Sequence, residues 1–438
     1  MTHLMRLYLF IFSLSLLYTT NALADNWPQW RGVRGDGISN EKNIPTKWSK
    51  TEKVAWRTPM PGQAGATPCV WGDRIYTTSA EGNDLVLLCL STVDGKILWK
   101  QKVGEGNQDA RAGEGNSASP SPSTDGEYVW VFFGTGALAC FTKDGTEVWK
   151  FNVGDRFGAL DIQFGITSTP VLDGDGLYLQ LIHGRMKPGD QSRTGKVVKL
   201  QKLTGRTVWD VDRVTEAQFE CKHSYASPFL YDDKKSKFLV VHGADCTTGH
   251  DLITGKELWR FGMLNGPTVL NSKPNDSTFR FVASPCIDPK SNTIIIPTAK
   301  EGPVIAVKAS ELQGDSSAKA SAVVWNLART SDVSIPVIFD NLVYMLNKDG
   351  KLQCVELATG KEVYLNRTYT GQHRTSPLYA DGHLYFGSND GHFTVVKAGK
   401  DFEIVSTMDM GEAITASAIV SNGTLYVRSY EALYAIRN

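Results

Sequence analysis

The sequence predicts an all-β protein, an eight-bladed β-propeller whose blades are four-stranded antiparallel sheets. Three observations lead to this prediction. One stretch, residues 335–364, divides into four short apolar runs separated by turn signals. The same pattern recurs along the chain, and self-similarity at a spacing of tens of residues is typical of repeat architectures. Helical periodicity is nearly absent, while 41 Gly and 11 Trp suit many tight turns between packed sheets.

The clearest repeat reads IPVIF, LVYML, LQCVEL and KEVYL. Its turns are Asp340-Asn341, residues 347–350 and residues 359–361, and Asn and Gly accept the positive φ that tight hairpins need. Both faces of the runs are apolar, as the neighbours Leu342 and Val343 illustrate. A sheet with two apolar faces is stable only when other sheets cover both of them, which is the situation of a propeller blade.

Each repeat opens with a small residue, usually followed by Pro, at the start of an apolar run. This opening occurs as ATPCV (66–70), SPSPS (119–123), STPVL (168–172), SPFLY (227–231), SPCID (284–288), IPVIF (335–339), SPLYA (376–380) and ASAIV (416–420). Each repeat closes with a Thr-Gly or Asp-Gly turn and a run that ends in Trp or Tyr, as in VDGKILW (93–99), KDGTEVW (143–149), LTGRTVW (203–209), ITGKELW (253–259) and ATGKEVY (358–364). Degenerate closings stand at 322–325 and 402–406, and residues 309–322 are predicted to be a plain flexible loop. Eight openings predict eight blades.

The last repeat has three strands and no closing strand. Near the N-terminus, residues 53–58 (KVAWRT) have the pattern of a closing strand without the other three. We therefore predict that this N-terminal strand completes the last blade and closes the ring. Closure of this kind removes sheet edges that would otherwise invite aggregation.

The first residues predict export. Arg6 precedes an apolar stretch at 7–18, and Ala22-Leu23-Ala24 is a small-residue cleavage site. The apolar stretch is too short to span a bilayer, which takes roughly 20 residues. We expect a signal peptide over residues 1–24 and one soluble domain over residues 25–438, periplasmic or secreted and monomeric. The balance of 46 basic and 46 acidic residues argues against nucleic acid or an anionic membrane as partner, and no other stretch is long enough to embed the protein in a membrane.

The (Thr/Asp)-Gly-Lys-x-x-Trp closing strand resembles the tryptophan-docking repeat of pyrroloquinoline-quinone (PQQ)-like propellers. Residues 27–37 (WPQWRGVRGDG), 44–48 (IPTKW) and 54–56 (VAW) resemble the start of secreted PQQ-like repeat proteins of planctomycete-type bacteria. The chain is thus similar to the outer-membrane assembly factor BamB and, more distantly, to quinoprotein dehydrogenases. The resemblance covers the whole chain after residue 24 and implies a quinoprotein-like fold. Because that fold hosts both enzymes and scaffolds, the resemblance does not assign a function.

Two recurring residue types are interpreted as packing groups. One tryptophan stands at the same point of six repeats, so each is expected to pack against the neighbouring blade; they are Trp56, Trp99, Trp149, Trp209, Trp259 and Trp325. Five of the seven cysteines also occupy repeat positions and are expected to be small buried residues: Cys69, Cys89, Cys140, Cys286 and Cys354. Cys221 and Cys246 fit no repeat position, so they are the candidate disulfide in an oxidising compartment.

The resemblance implies what quinone-dependent alcohol oxidation would require: a disulfide between adjacent cysteines, a Glu/Asn/Asp set around calcium, and an Asp base. This chain has no adjacent cysteines and no C-x-x-C-H haem attachment site. It also lacks H-E-x-x-H, G-x-S-x-G and P-loop motifs. We therefore expect no cofactor, no metal and no catalytic residue, with PQQ bound at the channel mouth as the alternative.

Loops that lead into the innermost strands of a propeller converge on one end of its channel, so polar residues just before the openings are candidate binding residues. They are Asn116, Asp161, Gln163, His223, Arg280, Asp332, His373 and Arg374. If these residues form a ligand or metal pocket, His223 and His373 are the pair that would hold the ligand. The alternative is that all of them are solvated residues that satisfy backbone groups at the channel mouth.

These observations fit a non-catalytic binding or scaffolding propeller of the bacterial cell envelope, which presents loops to a protein or to a polymer such as a polysaccharide. The competing hypothesis is a quinoprotein-like oxidoreductase that binds PQQ. A third hypothesis, an envelope hydrolase or lyase that uses the channel-mouth histidines, has no motif in its favour.

Overall fold

The computed structural model describes residues 26–111, 114–185, 194–265, 279–300, 302–317, 319–329 and 331–438. These residues form eight blades, each built on four antiparallel strands that are adjacent in chain order apart from the ring closure, which confirms the predicted eight-bladed propeller; one blade has a fifth strand, and a two-stranded ribbon lies outside the blades. The predicted signal peptide lies outside the described residues. Within the described ranges, no helix is long and apolar enough to cross a membrane.

The strands of blades 1 to 4, from the channel outward, are Cys69–Trp71, Arg74–Glu81, Asp84–Ser91 and Ile97–Glu105; Ser123–Thr124, Tyr128–Phe132, Ala137–Thr142 and Glu147–Asn152; Val171–Asp173, Gly176–Leu181, Thr194–Gln201 and Thr207–Val214; Phe229–Asp232, Lys237–Gly243, Cys246–His250 and Glu257–Phe261. Those of blades 5 to 8 are Cys286–Asp288, Thr293–Pro297, Val304–Lys308 and Val323–Leu327; Val337–Phe339, Leu342–Leu346, Lys351–Glu356 and Glu362–Arg367; Leu378–Ala380, His383–Gly387, His392–Lys397 and Ile404–Asp409; Ile419–Ser421, Thr424–Arg428, Ala432–Ile436 and Val54–Pro59. The remaining elements are a ribbon of Asp109–Arg111 with Gly115–Asn116, the α-helix Val153–Phe157, and 3₁₀ turns at Phe219–Lys222, Ala309–Glu311 and Ala320–Ala322.

Because successive strands alternate in direction, the propeller has two different faces. The connections between blades lie on one side, which we call the loop face. The hairpins that join first to second and third to fourth strands lie on the other side, which we call the turn face. All residues predicted to flank the channel precede an innermost strand, so they belong to the loop face.

The core lies between the blades rather than inside any one of them. Phe132 and Leu138 of blade 2, for example, pack in one buried cluster with Leu177 and Leu179 of blade 3. Side chains on both faces of the inner strands are therefore buried, as the two apolar faces of the repeat predict.

The closing-strand tryptophans link each blade to the next through hydrogen bonds. Their indole N–H groups donate to turn carbonyls of the following blade: Trp56 to Thr92 (3.1 Å), Trp99 to Lys143 (3.0 Å), Trp149 to Lys202 (2.9 Å), Trp209 to Leu252 (3.4 Å) and Trp325 to Leu357 (2.8 Å). Each of these rings also covers the turn glycine of the next blade, so that a Cβ on Gly360 would lie 2.7 Å from Cγ of Trp325. Trp259 has no indole acceptor within the described ranges, because the 309–322 insert replaces the corresponding turn of blade 5.

The prediction of a plain flexible loop over 309–322 is wrong. Gly314–Asp315 pairs in parallel with Trp259 and Arg260 and forms a fifth strand at the outer edge of blade 4. The next residue, Ser316, donates its backbone N–H to the carbonyl of Arg260 at 2.7 Å. The insert therefore covers a sheet edge that would otherwise be unpaired.

The N-terminal strand closes the ring as predicted, since Val54–Pro59 pairs antiparallel with Ala432–Ile436. A charged contact reinforces this seam. The carboxylate of Glu412 accepts hydrogen bonds from the guanidinium of Arg57 (2.6 Å) and from the hydroxyl of Tyr434 (2.6 Å).

Residues 26–53, which we call the N-terminal strap, cross the turn-face end of the channel. Trp27 bridges to Val70 of blade 1, and Ile38 bridges to Tyr379 of blade 7. Between these points the buried guanidinium of Arg31 donates to three carbonyls: Pro377 (2.7 Å), Asp36 (3.0 Å) and Pro336 (3.4 Å). The strap thus closes one end of the channel and leaves the loop-face end as its mouth.

Candidate functional site

A ring of mostly hydroxyl-bearing residues surrounds the channel, one from each blade opening. We call this set the channel ring; it comprises Thr67, Ser121, Thr169, Ser227, Ser284, Ile335, Ser376 and Ser417. Each member stands directly before the opening Pro, except Ser417, which stands before Ala418. The backbone N–H of one member donates to the hydroxyl of the next: Thr67 to Ser121 (3.0 Å), Ser121 to Thr169 (3.1 Å), Thr169 to Ser227 (2.8 Å), Ser227 to Ser284 (2.8 Å), Ile335 to Ser376 (3.0 Å) and Ser376 to Ser417 (2.9 Å). The series breaks at Ile335, whose side chain has no hydroxyl.

A cavity of about 180 Å³ lies between the channel ring and the mouth. Trp30 of the N-terminal strap lines it from the turn-face side and also lines a larger groove on that face. Towards the loop face its wall contains aromatic and charged side chains: Glu114, Phe164, Tyr225, Arg280 and Arg374. Two of the predicted site residues, Arg280 and Arg374, therefore do line the channel.

Arg280 belongs to an aromatic cluster on one side of the mouth. Its guanidinium carbon lies 4.9 Å from the ring centre of Phe164 and 5.9 Å from that of Tyr225. The same guanidinium forms an ion pair with Glu220 at 2.7 Å. Arginine stacked on aromatic rings and fixed by a carboxylate is a rigid, amphipathic surface suited to recognition.

Arg374 stands at the mouth in a second ion pair, at 2.7 Å from the carboxylate of Glu114. Both side chains are about a quarter exposed or less. The charges of the two lining arginines are thus each balanced by a neighbouring glutamate.

Four other predicted residues do not line the cavity. Asn116 is buried and acts in a local turn, because its amide donates to the carbonyl of Gln63 (2.9 Å) and accepts from the N–H of Ala118 (3.0 Å). The Asp161 carboxylate is about half exposed and lies 3.6 Å from Arg185. Gln163 is exposed. Asp332 is mostly buried and forms an ion pair with Lys348 at 3.6 Å.

The structure places His223 and His373, the candidate pair for a ligand or metal pocket, outside the cavity. Both are fully buried, and neither lines the cavity. His223 contacts the carbonyl of Gly184 at 2.8 Å, whereas His373 contacts that of Gly371 at 2.9 Å and packs edge-on against Phe386. Burial lowers the pKa of each imidazole below its usual range, so both are neutral packing groups near pH 7.

The structure also does not form the predicted disulfide between Cys221 and Cys246. Both are buried free thiols, and Sγ of Cys246 accepts a hydrogen bond from the buried guanidinium of Arg213 at 3.0 Å. The five cysteines at repeat positions are buried free thiols as well, which confirms the packing role predicted for them.

Several cavity residues were missed by sequence reasoning. The Ser-Pro and Thr-Pro openings contained the signal for the channel ring, because a hydroxyl recurs before the Pro in six of eight repeats. Phe164 and Tyr225 stand in the same loops as the polar candidates, so the restriction to polar residues excluded them. Trp30 and Glu114 had no comparable signal, since the first comes from the strap and the second from a ribbon.

The cavity does not suit the quinone that the resemblance implies. PQQ is a flat tricyclic tricarboxylate, whereas the lining arginines are already paired with Glu220 and Glu114. The volume of about 180 Å³ is below the range of roughly 300 Å³ upward that is usual for ligand pockets. In the part of the chain that the structure describes, no group of three or more His, Cys, Asp or Glu side chains could hold a metal ion.

Comparison with known proteins places the chain in a family. The family described as "Outer membrane protein assembly factor BamB" matches residues 45–186 and 190–401, which is well over half of the sequence. Among curated proteins, a polyvinylalcohol dehydrogenase from Pseudomonas sp. is 24% identical over 201 residues, covering 42% of this chain and 28% of that relative. This chain therefore spans less than a third of the dehydrogenase's length.

Solved structures share the fold at low identity. BamB from Moraxella catarrhalis has a TM-score of 0.63 at 13% identity, with 86% of this chain and 98% of that chain covered. The quinohemoprotein alcohol dehydrogenase from Comamonas testosteroni has a TM-score of 0.67 at 13% identity, with 94% and 80% covered. At such identities the likeness shows the fold alone. The extent of the family match, together with the repeat and the eight blades, shows that the chain belongs to the PQQ-repeat propeller family described as outer membrane protein assembly factor BamB.

Proposed function

We propose that this protein is a non-catalytic binding propeller of the bacterial cell envelope, and that it presents its loop face to a protein partner. One observation carries the proposal. Exposed apolar side chains and a fixed arginine–aromatic cluster occur together on the loop face, in the connections that enter blades 3, 4 and 5.

The apolar side chains are Val214, Phe219 and Met263, with exposed fractions of 58%, 48% and 53%. Val214 ends the closing strand of blade 3, and Phe219 and Met263 follow the closing strands of blades 3 and 4, so all three lie on the same face as Arg280 and its aromatic neighbours. Aromatic residues, Met and Arg are enriched at the centres of protein interfaces, where they contribute most of the binding energy. We call Val214, Phe219, Met263 and Arg280 the loop-face patch.

The titratable groups near the channel mouth support binding rather than acid–base catalysis. His223 and His373 are buried beneath loops, and Arg280 and Arg374 are fixed by carboxylates. A general acid or base must reach the substrate, and neither histidine lines the cavity. A BamB-type family match and a BamB fold at 98% coverage of that chain are consistent with this assignment.

Photo-crosslinking in intact cells tests the proposal. A benzophenone amino acid would replace Phe219 or Met263 on the patch and, as matched controls, Ile253 or Val93 in turn-face hairpins, where the exposed fractions are 78% and 72%. We expect one discrete protein adduct from the patch positions and none from the controls. Adducts that form equally at all four positions would contradict a specific loop-face interface. An adduct with polysaccharide would contradict a protein partner and would indicate that the propeller binds a polymer.

Export and a monomeric state belong to the same proposal. N-terminal sequencing of the protein recovered from the envelope fraction should begin near Asp25, and light scattering of the purified protein should give the mass of a single chain. A retained leader would place the protein elsewhere, and a larger mass would mean that copies of the chain share a surface.

A second candidate function has a specific observation in its favour. The curated relative and three of the matching structures are named as dehydrogenases, and the structure from Comamonas testosteroni matches 94% of this chain. A quinoprotein-like oxidoreductase would use the channel mouth as its active site. The lining arginines are already paired with glutamates and the cavity is small, and both facts favour the binding proposal over this one.

A further inference from the structure

The hydroxyls of the channel ring have unused protons. Ser121, Thr169, Ser376 and Ser417 each accept a backbone N–H from the neighbouring blade, and all four line the cavity. A hydroxyl has one proton to donate besides the lone pairs with which it accepts. These hydroxyls donate to no acceptor in the described residues, although their side chains are buried. Buried polar groups are almost always hydrogen-bonded, so the protons need an acceptor inside the cavity.

An orphaned side chain of the same wall points to the same requirement. Thr415 is nine-tenths buried and lines the cavity, and its Oγ1 faces the hydroxyl of Tyr430 beyond ordinary hydrogen-bond distance, so that neither oxygen has a full partner in the part of the chain that the structure describes. Arg374 lines the wall as well, and its partner Glu114 lies at the mouth. The inner wall therefore offers several hydrogen-bond donors that converge on a small enclosed volume.

The chemistry of the wall distinguishes between ligands. A cation would take hydroxyl lone pairs and would leave every hydroxyl proton without an acceptor. An anion accepts hydrogen bonds from the hydroxyl groups, and hydrogen bonds from neutral donors to a charged acceptor are stronger than those between neutral groups. The size of the cavity, about 180 Å³, limits the ligand to a few heavy atoms.

We propose that the channel cavity binds a small anion, either a free halide or the carboxylate of a small organic acid, through the hydroxyl protons of the channel ring and Thr415. The ring hydroxyls and Thr415 do not belong to the loop-face patch, which shares only Arg280 with the cavity wall, so the anion site does not depend on the proposed function. The anion would join the hydroxyls of several blades at the centre of the ring, and ligands that bind only the folded state stabilise it.

Thermal unfolding in a series of salts at constant ionic strength tests this proposal. Bromide represents the halide and acetate the carboxylate, while gluconate serves as an anion too large for the cavity. The wild type should show a saturable rise in unfolding midpoint with bromide, with acetate or with both, and no saturable rise with gluconate. Whichever small anion saturates identifies the source of the ligand, and a rise of equal size with gluconate would overturn the proposal because it would mean a general salt effect.

Thr415→Val removes a donor whose one polar neighbour in the wall, the hydroxyl of Tyr430, lies beyond ordinary hydrogen-bond distance, and it should raise the apparent dissociation constant about tenfold. Thr77→Val is the matched control, because Thr77 is also a buried threonine without a hydrogen-bond partner for Oγ1 but lies in blade 1 outside the cavity wall. Equal dissociation constants in the two variants would overturn the proposal. Anomalous diffraction from wild-type crystals in bromide gives a result that needs no variant: a peak beside the ring hydroxyls supports the site, and peaks confined to the surface contradict it.

Discussion

Replacing a single turn glycine should separate blade-to-blade packing from backbone strain. Gly360 has φ of 70°, and its missing side chain makes room for the indole of Trp325. Gly423 has nearly the same φ, 68°, but a Cβ there would meet nothing within 4 Å. Gly360→Ala and Gly423→Ala therefore share the strain of a left-handed alanine and differ in the contact with tryptophan.

The expected magnitudes follow from this geometry. A left-handed alanine costs about 1–2 kcal/mol, partly offset by about 0.4–1 kcal/mol from the reduced freedom of the unfolded chain, so Gly423→Ala should lose roughly 1 kcal/mol. In Gly360→Ala the new Cβ would stand 2.7 Å from Cγ of Trp325, well inside van der Waals contact. Displacing the ring should cost a further 1–3 kcal/mol by overpacking, and weakening its bond to the carbonyl of Leu357 about another 1 kcal/mol.

Urea denaturation followed by intrinsic fluorescence measures both losses, and the slopes of the two transitions show whether they can be compared. We expect Gly360→Ala to lose about 2–4 kcal/mol more than Gly423→Ala. In a double-mutant cycle with Trp325→Phe, most of this difference should disappear, because the smaller ring leaves room for the methyl group. Equal losses for the two glycines, or no coupling to Trp325, would refute the view that these contacts hold the blades together.

Three further predictions concern pH, the strap and the seam. Burial lowers the folded-state pKa of His242 to about 3 and of His250 to about 4, so below about pH 6.5 the unfolded chain takes up protons that the folded chain does not. The free energy of unfolding should therefore fall by about 1 kcal/mol per pH unit for each histidine on acidification to pH 5. Urea titrations at several pH values measure this slope, and His242→Gln should reduce it. Arg31→Ala leaves buried carbonyls unpaired and should cost about 2–4 kcal/mol, with new protease cleavage inside the N-terminal strap. Glu412→Gln weakens the bonds to Arg57 and Tyr434, costs roughly 1–3 kcal/mol, and should speed hydrogen exchange in the N-terminal strand selectively; uniform exchange across all blades would contradict its role at the seam.

The fold was predictable because the propeller repeats one local pattern. Turn glycines and alternating apolar runs determine hairpins and blades locally. Closure pairs strands from the two ends of the chain, and it was predictable because the last repeat lacks a closing strand and the strand near Trp56 has the pattern of one. The fifth strand at Gly314–Asp315 was not predictable, because no apolar run and no repeat position marks these residues as a strand that pairs with blade 4. The missing partner of Trp259 is a consequence of that same insert.

The candidate site was predictable only in part. The repeat places the loops before each innermost strand on one face, and from this Arg280 and Arg374 could be expected at the channel mouth. Which way a loop side chain points depends on its neighbours, so the burial of His223 beneath Gly184 and of His373 beside Phe386 could not be read from spacing. Trp30, which lines the cavity from the turn-face side, comes from the N-terminal strap, and no periodic pattern in the sequence indicates the path of the strap across the turn face.

A titration with PQQ and calcium separates a binding propeller from a quinone enzyme most directly. Intrinsic fluorescence reports on the cavity because Trp30 forms part of its wall, and dye reduction with a panel of alcohols and sugars reports on turnover in the same samples. We predict no saturable fluorescence change at high micromolar PQQ, no dye reduction, and identical behaviour of Arg374→Gln. Saturable binding with turnover in the wild type, lost in Arg374→Gln, would contradict the binding proposal and make the channel mouth an active site.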